Sequence, residues 1–129
     1  MSDTTTAPAA ADAATQAALE RLNTVIDRLI APDGCPWDST QTPESLTEYV
    51  IEECHELVDA IRSGKTADMV EELGDVAFLI LMIGKLMARA GGPSLADALE
   101  VEAAKMVRRH PHVFSDTTYE NQSEQLKDW

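Results

Sequence analysis

Two short acidic segments contain the side chains of this sequence whose types and spacing could do chemistry. They run from Glu52 to Glu56 and from Glu71 to Asp75, and both lie inside stretches with the apolar periodicity of amphipathic helices. An unpaired charge on the buried side of a helix costs several kcal/mol even after relaxation. Because several carboxylates share that side here, the sequence predicts a metal ion that compensates their charge.

Helical angles select four of these carboxylates. At about 100° per residue, Glu53 falls within the apolar arc of the first segment and Glu56 at its edge, whereas Glu52 falls on the wetter side. In the second segment, Glu72 lies among apolar side chains and Asp75 about 60° away. Residues three apart on a helix have Cβ atoms about 5–6 Å from each other, so each pair can converge on one hard cation. Ligation by oxygen alone favours Mg²⁺ or Mn²⁺.

Two other interpretations start from the same residues. A solvated acidic helix face is the common meaning of such a pattern, but the placement of both pairs in apolar arcs argues against it. A ferritin-like di-iron site uses a Glu-x-x-His step, which Glu52 and His55 would supply. That architecture needs the step twice, and the second segment has no histidine. A site for Mg²⁺ or Mn²⁺ is therefore preferred.

The elements that position these carboxylates are predicted to be helices. Of the 129 residues, 44% are hydrophobic and 5% aromatic, and no stretch alternates in the manner of a β-strand. Residues 1–15 are expected to form a flexible tail, and residues 16–129 a single all-α domain. Thr42, Thr66 and Ser94 are suited to cap helices at their N-termini. The expected helices cover about residues 12–29, 43–63, 66–90 and 95–110, with a fifth starting near residue 119.

Charge and hydropathy exclude several classes of partner. The net charge of −13 argues against nucleic acids and anionic membranes. The longest apolar run, Val76–Gly84, is far shorter than the ~20 residues of a membrane span. Residues 1–15 lack the features of a signal peptide, which predicts a cytoplasmic protein with reduced cysteines. The third helix is apolar on nearly every face, which predicts a homodimer or larger homo-oligomer.

Basic and aromatic residues add two further candidates. Lys105, Arg108 and Arg109 are grouped at the end of the fourth helix. There they could complement the helix dipole, bind phosphates, or do both. Trp37 lies in a loop rich in Gly and Pro, where it could stack on a nucleobase or cover the core.

Several of these motifs occur together in one known family. In combination they resemble the MazG nucleoside triphosphate pyrophosphohydrolases over about residues 19–129. The resemblance implies an all-α helical bundle that dimerises into a four-helix-bundle core. It also implies Mg²⁺-dependent hydrolysis of nucleoside triphosphates to nucleoside monophosphate and pyrophosphate. The matching strings are Gly34–Asp38, Gln41–Thr42, Ser45–Leu46, Glu52–Glu56, Glu72–Asp75 and Lys105–Phe114.

The resemblance also implies roles for the acidic residues. The metal ligands would be Glu53, Glu56, Glu72 and Asp75. Glu52 would orient or deprotonate the attacking water. From their own types and charges, Trp37, Lys105, Arg108 and Arg109 are the candidate substrate-binding residues, the basic ones acting on the leaving pyrophosphate. No pattern in the sequence indicates which nucleotide is preferred.

A second function is implied by the type of repeat that the strings match. The strings around Trp37 and after Lys105 are those of the first of two tandem MazG repeats. The abrupt end at Trp129 leads us to expect that the natural protein continues. The alternative function is therefore a catalytically weak dimerisation or scaffold repeat of a longer two-domain protein.

Overall fold

The computed structural model describes residues 6–127 and Trp129, with side chains from residue 9 onward, and its regular structure in that part of the chain is entirely helical. This confirms the all-α class. Short 3₁₀ turns, Asp38–Thr40 and Glu44–Leu46, interrupt the connection between the first two helices. The helices are α1 (Thr6–Ile30), α2 (Thr47–Ser63), α3 (Thr66–Arg89), α4 (Leu95–Arg109), α5 (Pro111–Phe114) and α6 (Gln122–Leu126).

Helices α2 and α3 form an antiparallel hairpin and pack against each other more extensively than any other pair. Gly64 ends α2 in the left-handed conformation, with φ of 71°, which glycine adopts without a steric penalty. The expected cap at Thr66 is wrong, because α3 already begins at this residue and Lys65 occupies the cap position without a side-chain hydrogen bond. Thr42 does accept the Ser45 N–H at 3.1 Å, but the turn it opens is the 3₁₀ turn that leads into α2.

The core lies around the second half of α3, so this helix is central to the fold. Burying one such apolar side chain stabilises the fold by roughly 1.5–3 kcal/mol. The segment that follows the acidic residues of α3 is therefore held firmly. The buried apolar cluster comprises Ile26, Ile30, Leu46, Leu79, Leu81, Met82 and Leu86.

Helix α1 begins earlier than expected, at Thr6 and not near Asp12. Its first turns are rich in alanine, which has the highest helix propensity. Residues 9–21 are exposed, so part of the stretch expected to be a tail is helical but contributes nothing to the core. Residues 1–5 lie outside the described part of the chain, and the boundary at residue 15 stays a prediction.

Helix α4 has the predicted capping box at its start, where the Ser94 N–H donates to the Asp97 carboxylate at 2.8 Å. It crosses α3 closely, since a Cβ atom built on Gly84 would lie 2.8 Å from Leu95 Cβ. No residue of α4 is buried. The helix ends at Arg109, before Pro111, as predicted. The last segment forms only the short helices α5 and α6.

One side of the hairpin carries exposed apolar residues. Cys54 and Ile61 lie in the same apolar arc of α2 as Glu53, yet both are exposed. Each of these two residues points about 100° away from the side of α2 that contacts α3. Because the two helices are antiparallel, residues at the corresponding angle on α3 lie on the same side of the hairpin. We call this surface the outer apolar face; it consists of Ile51, Cys54, Val58 and Ile61 on α2 and Val70, Leu73 and Ile80 on α3. In the part of the chain that the structure describes, no helix is long and apolar enough to cross a lipid bilayer.

Candidate metal centre

Three carboxylates meet where α2 packs against α3. Glu53 and Glu56 on α2 and Glu72 on α3 each offer an oxygen atom within 4.8 Å of the other two. Oε2 of Glu53 and Oε2 of Glu72 are buried and have no hydrogen-bond partner. None of the ion pairs among the described residues reaches this carboxylate cluster. Because unpartnered buried carboxylate oxygens are unfavourable, the donor set fits a hard cation such as Mg²⁺ or Mn²⁺.

The crowding of negative charge changes the proton affinity of the cluster. Burial raises the pKa of Glu72 to about 7, together with the close negative charges of Glu56, Asp75 and Glu53. Burial also raises the pKa of Glu53, with the charges of Glu56 and Asp75 as further causes. A bound cation reverses these shifts, because a positive charge favours the carboxylate form.

The other two predicted acidic residues lie at the edge of the cluster. Asp75 is near enough for its charge to raise the pKa values of Glu53 and Glu72. Its side chain is exposed, and its oxygens are not among the atoms that approach one another within 4.8 Å. Glu52 is also exposed, one residue before Glu53. The structure therefore brings together three of the four predicted ligands.

An acidic groove of about 310 Å³ opens beside the cluster. Two of its carboxylates, Asp59 and Asp68, were not candidates from the sequence. Asp59 follows Glu56 by three residues and Asp68 precedes Glu72 by four, so each extends an acidic row by one turn toward Gly64. This spacing, applied beyond the first pair on each helix, would have found them. The groove is lined by Glu56, Asp59, Ala60, Ser63, Asp68 and Glu72.

The basic residues of α4 are not brought to the acidic groove within one chain. Lys105 Nζ pairs with Glu102 Oε2 on its own helix at 2.7 Å. The Arg109 guanidinium carbon lies 5.9 Å from the centre of the Trp129 ring, and Arg108 is exposed. Among the described residues, those that line the groove all come from α2 and α3.

Trp37 stands beside α2 and does not cover the core. Its side chain is 49% exposed, and its ring meets the Tyr49 ring edge to face, with centroids 5.8 Å apart. Tyr49 lies one helical turn before Glu53, a distance of about 6 Å along the axis of α2. The aromatic pair is therefore close to the carboxylate cluster.

Comparison with known proteins identifies relatives of this chain. The family model of the MazG nucleotide pyrophosphohydrolase domain matches residues 41–114. The uncharacterized protein YabN of Bacillus subtilis is 43% identical over 105 residues, which are 81% of this chain and 22% of that protein. The nucleoside triphosphate pyrophosphohydrolase/pyrophosphatase MazG of Thermotoga maritima is 41% identical over 98 residues, which are 76% of this chain and 38% of that protein.

A solved structure has the same fold. The crystal structure of a MazG-related protein from Thermotoga maritima superposes with a TM-score of 0.69 at 29% sequence identity. The match covers 85% of this chain and 94% of the other. By contrast, the chain spans only 22% and 38% of the length of the two curated relatives above.

Proposed function

Because the chain belongs to the MazG nucleotide pyrophosphohydrolase domain family, we propose that it hydrolyses nucleoside triphosphates to nucleoside monophosphate and pyrophosphate with Mg²⁺ as cofactor. The observation that carries the proposal is the pair of buried, unpartnered oxygens on Glu53 and Glu72. A polyphosphate is too negative to enter an acidic groove unless a cation accompanies it. The carboxylates and the polyphosphate substrate therefore both need a cation, which is why they fit the same site.

The chain's own residues would divide the work in the following way. Glu53, Glu56, Glu72 and Asp75 would hold Mg²⁺, which supplies charge neutralisation at the phosphates and lowers the pKa of a water when bound. Glu52, exposed at the edge of the cluster, would orient the attacking water and accept its proton. Trp37 would stack on the nucleobase. Mn²⁺ has the same ligand preference and could replace Mg²⁺.

Lys105, Arg108 and Arg109 would bind the leaving pyrophosphate. Because α4 of the same chain does not line the acidic groove, this role requires either a second copy of the chain or a reorientation of α4. A second copy is expected on other grounds. The outer apolar face would be covered if two α2–α3 hairpins packed into a four-helix bundle, which makes the proposed assembly a homodimer or a larger homo-oligomer.

A scaffold role is the second candidate function. The observation that favours it is the short span of the chain relative to its curated relatives. In that case the repeat would dimerise a longer protein and turn over nucleotides weakly. The expected cytoplasmic location, and the expected lack of binding to nucleic acids and membranes, stay predictions under both functions.

Turnover separates the two functions. The purified chain, incubated with Mg²⁺ and each common NTP and dNTP, should release nucleoside monophosphate and pyrophosphate, and not nucleoside diphosphate and phosphate. Glu72→Ala and Asp75→Ala should each reduce turnover by ~100-fold or more, since metal-based charge stabilisation is worth several kcal/mol. Glu100→Ala is the matched control, because Glu100 is exposed on α4. Failure to release pyrophosphate from every nucleotide would favour the scaffold role.

A further inference from the structure

Arg89, the last residue of α3, holds the loop that connects α1 to α2. Its Nη1 donates a hydrogen bond to the Ile30 carbonyl at 2.9 Å. Its Nη2 donates to the Ser39 carbonyl at 3.1 Å and approaches the Gln41 carbonyl at 3.5 Å. A single guanidinium thus ties the end of α3 to the end of α1 and to the middle of the loop.

Gln41 passes this restraint on to Trp37. Its Nε2 donates to the Trp37 carbonyl at 3.1 Å, and its Oε1 accepts a hydrogen bond from Ser45 Oγ at 2.6 Å. The backbone of Trp37 is therefore connected to Arg89 through one intervening residue. Each of these bonds is directional, so together they set the path of the loop.

The start of the loop is fixed by steric contact. A Cβ atom on Gly34 would lie 2.3 Å from the Arg28 carbonyl oxygen and 2.5 Å from that of Leu29. Only glycine permits such an approach to another stretch of backbone. The Cys35 N–H also donates to the Leu29 carbonyl at 2.9 Å. Within the loop, Thr40 Oγ1 donates to the Pro36 and Trp37 carbonyls at 3.1 and 3.0 Å. Among the hydrogen bonds of the described residues, those of Arg89 are the ones that tie the loop to α3.

The side chain of Trp37 has little else to hold it. The ring is half exposed, and in the described part of the chain its one aromatic contact is the edge-to-face pair with Tyr49. A single contact of this kind is too weak to immobilise a half-exposed ring. The position of the ring relative to α2 is therefore set mainly by the backbone path of the loop.

We propose that Arg89 is a positioning residue for nucleotide binding. By holding the loop carbonyls it keeps Trp37 against Tyr49, one turn from the carboxylate cluster, where a base can stack. The proposal rests on the proposed function, since the ligand of Trp37 is the base of the nucleoside triphosphate. In this role Arg89 acts on the loop carbonyls and not on the nucleotide itself, so its loss weakens nucleotide binding and leaves the chemical step intact.

Steady-state kinetics give the first test. Arg89→Ala should raise KM by about tenfold and change kcat by less than about twofold, the pattern of an interaction made equally in the ground and transition states. Arg89→Lys should lie between the two, because an ammonium lacks the planar fork that reaches several carbonyls at once. Arg21→Ala, at an exposed α1 residue that makes no hydrogen bond or ion pair among the described residues, is the charge-matched control. A fall in kcat without a rise in KM would overturn the proposal.

Trp37 fluorescence tests the positioning without any turnover. The sequence has two tryptophans, so Trp129→Phe leaves Trp37 as the sole emitter. In that background and without nucleotide, Arg89→Ala should shift the emission to the red and increase quenching by acrylamide. If wild-type protein releases no pyrophosphate, the proposed function fails, while this measurement still decides the role of Arg89.

A second variant covers the case in which Arg89→Ala does not fold. Gln41→Met removes the links to Trp37 and Ser45 but keeps the backbone carbonyl that faces Arg89. It should produce the same red shift and the same rise in KM. Unchanged emission and KM in a folded Arg89→Ala protein, or in Gln41→Met if the former is unfolded, would overturn the inference.

Discussion

Glu72 shares a half-buried site with two other carboxylates, and no cation of the described protein pairs with any of them. The fold can relieve the resulting repulsion in two ways. A proton on Glu72 does so up to about pH 7, which is the pKa to which burial and its acidic neighbours raise it. A divalent cation does so above that pH. Proton and metal therefore compete for the same oxygens.

The stability of the metal-free protein should fall as pH rises from about 4.5 to about 7. Folded Glu72 keeps its proton up to about pH 7, whereas the unfolded chain releases it near its ordinary pKa of 4.5. The folded state therefore binds more protons in this window, and rising pH favours unfolding. Urea unfolding in EDTA at a series of pH values measures this slope. Glu72→Gln should flatten it, and Glu100→Gln should not; equal slopes in all three proteins would contradict the assignment.

Metal binding should depend on the two α2 carboxylates. A Glu53→Gln, Glu56→Gln double variant should weaken Mg²⁺ or Mn²⁺ binding by at least about tenfold, because each amide replaces an anionic ligand with a neutral one. Titration calorimetry measures the affinity. The matched control is Glu20→Gln with Glu100→Gln, which removes two exposed carboxylates elsewhere. Unchanged affinity in the folded double variant would exclude these ligands.

The cluster itself was predictable from the sequence, but its surroundings were not. Glu53 and Glu72 face each other because both helices are regular, so that 100° per residue suffices to locate them. Asp59 and Asp68 continue the acidic rows of α2 and α3. They lie outside the apolar arcs, which were the criterion that identified the carboxylate pairs nearer the core. Whether Lys105 reaches the groove depends on how α4 packs, which periodicity within α4 does not encode.

At the level of elements, the crossing of α3 and α4 depends on the absence of a side chain at Gly84. A Cβ there would lie 2.8 Å from Leu95 Cβ and 3.3 Å from the Leu95 backbone nitrogen. These atoms belong to the root of a side chain and to the backbone, so they cannot move aside without moving α4. Gly74 lies in the same helix, and a Cβ atom there would meet nothing within 4 Å.

Alanine at these two glycines should have opposite effects. Gly84→Ala should destabilise the protein by about 1–3 kcal/mol, because overpacking outweighs the gain in helix propensity. Gly74→Ala should stabilise it by about 0.5–1 kcal/mol, because only the propensity term acts there. Urea unfolding of the two variants measures both values. Stabilisation by both substitutions would show that α4 yields easily at the crossing.

Element boundaries were predicted best where side-chain chemistry alone defines them. The Ser94–Asp97 capping box and the stop before Pro111 are local signals, and both were confirmed. Thr66 failed as a cap because the left-handed turn at Gly64 brings the chain into α3 one residue sooner. Cys54 and Ile61 share the apolar arc of α2 but are exposed, because α3 is the one α-helix that packs extensively against α2 among the described residues and it covers another side.

At the scale of the whole molecule, an acidic chain carries an exposed apolar face. The chain has a net charge of −13 and a mass of 14.0 kDa, and Leu73 in the middle of that face is 59% exposed. We expect light scattering to show a homodimer or a larger species. Leu73→Glu places a charge in the outer apolar face and should convert this species to the monomer. Leu99→Glu, at a residue of α4 that is 61% exposed, is the control.

The dependence of association on ionic strength is a second test of the predicted homo-oligomer. Two chains of like charge repel each other over about one Debye length, roughly 10 Å at 0.1 M salt. Added salt screens this repulsion and does not weaken apolar contact. Association should therefore tighten between low and moderate salt. A clean monomer at micromolar concentration under both conditions would contradict the predicted assembly.

The close crossing at Gly84 also makes α4 a lever. Leu95 lies at the pivot, and Arg109 lies 14 residues further along, about 21 Å away at 1.5 Å per residue. A tilt of about 10° at the pivot moves the far end by about 3.6 Å, more than the length of a hydrogen bond. The positions of Lys105, Arg108 and Arg109 therefore depend on how closely α4 packs against α3 at Gly84, a residue that has neither charge nor side chain.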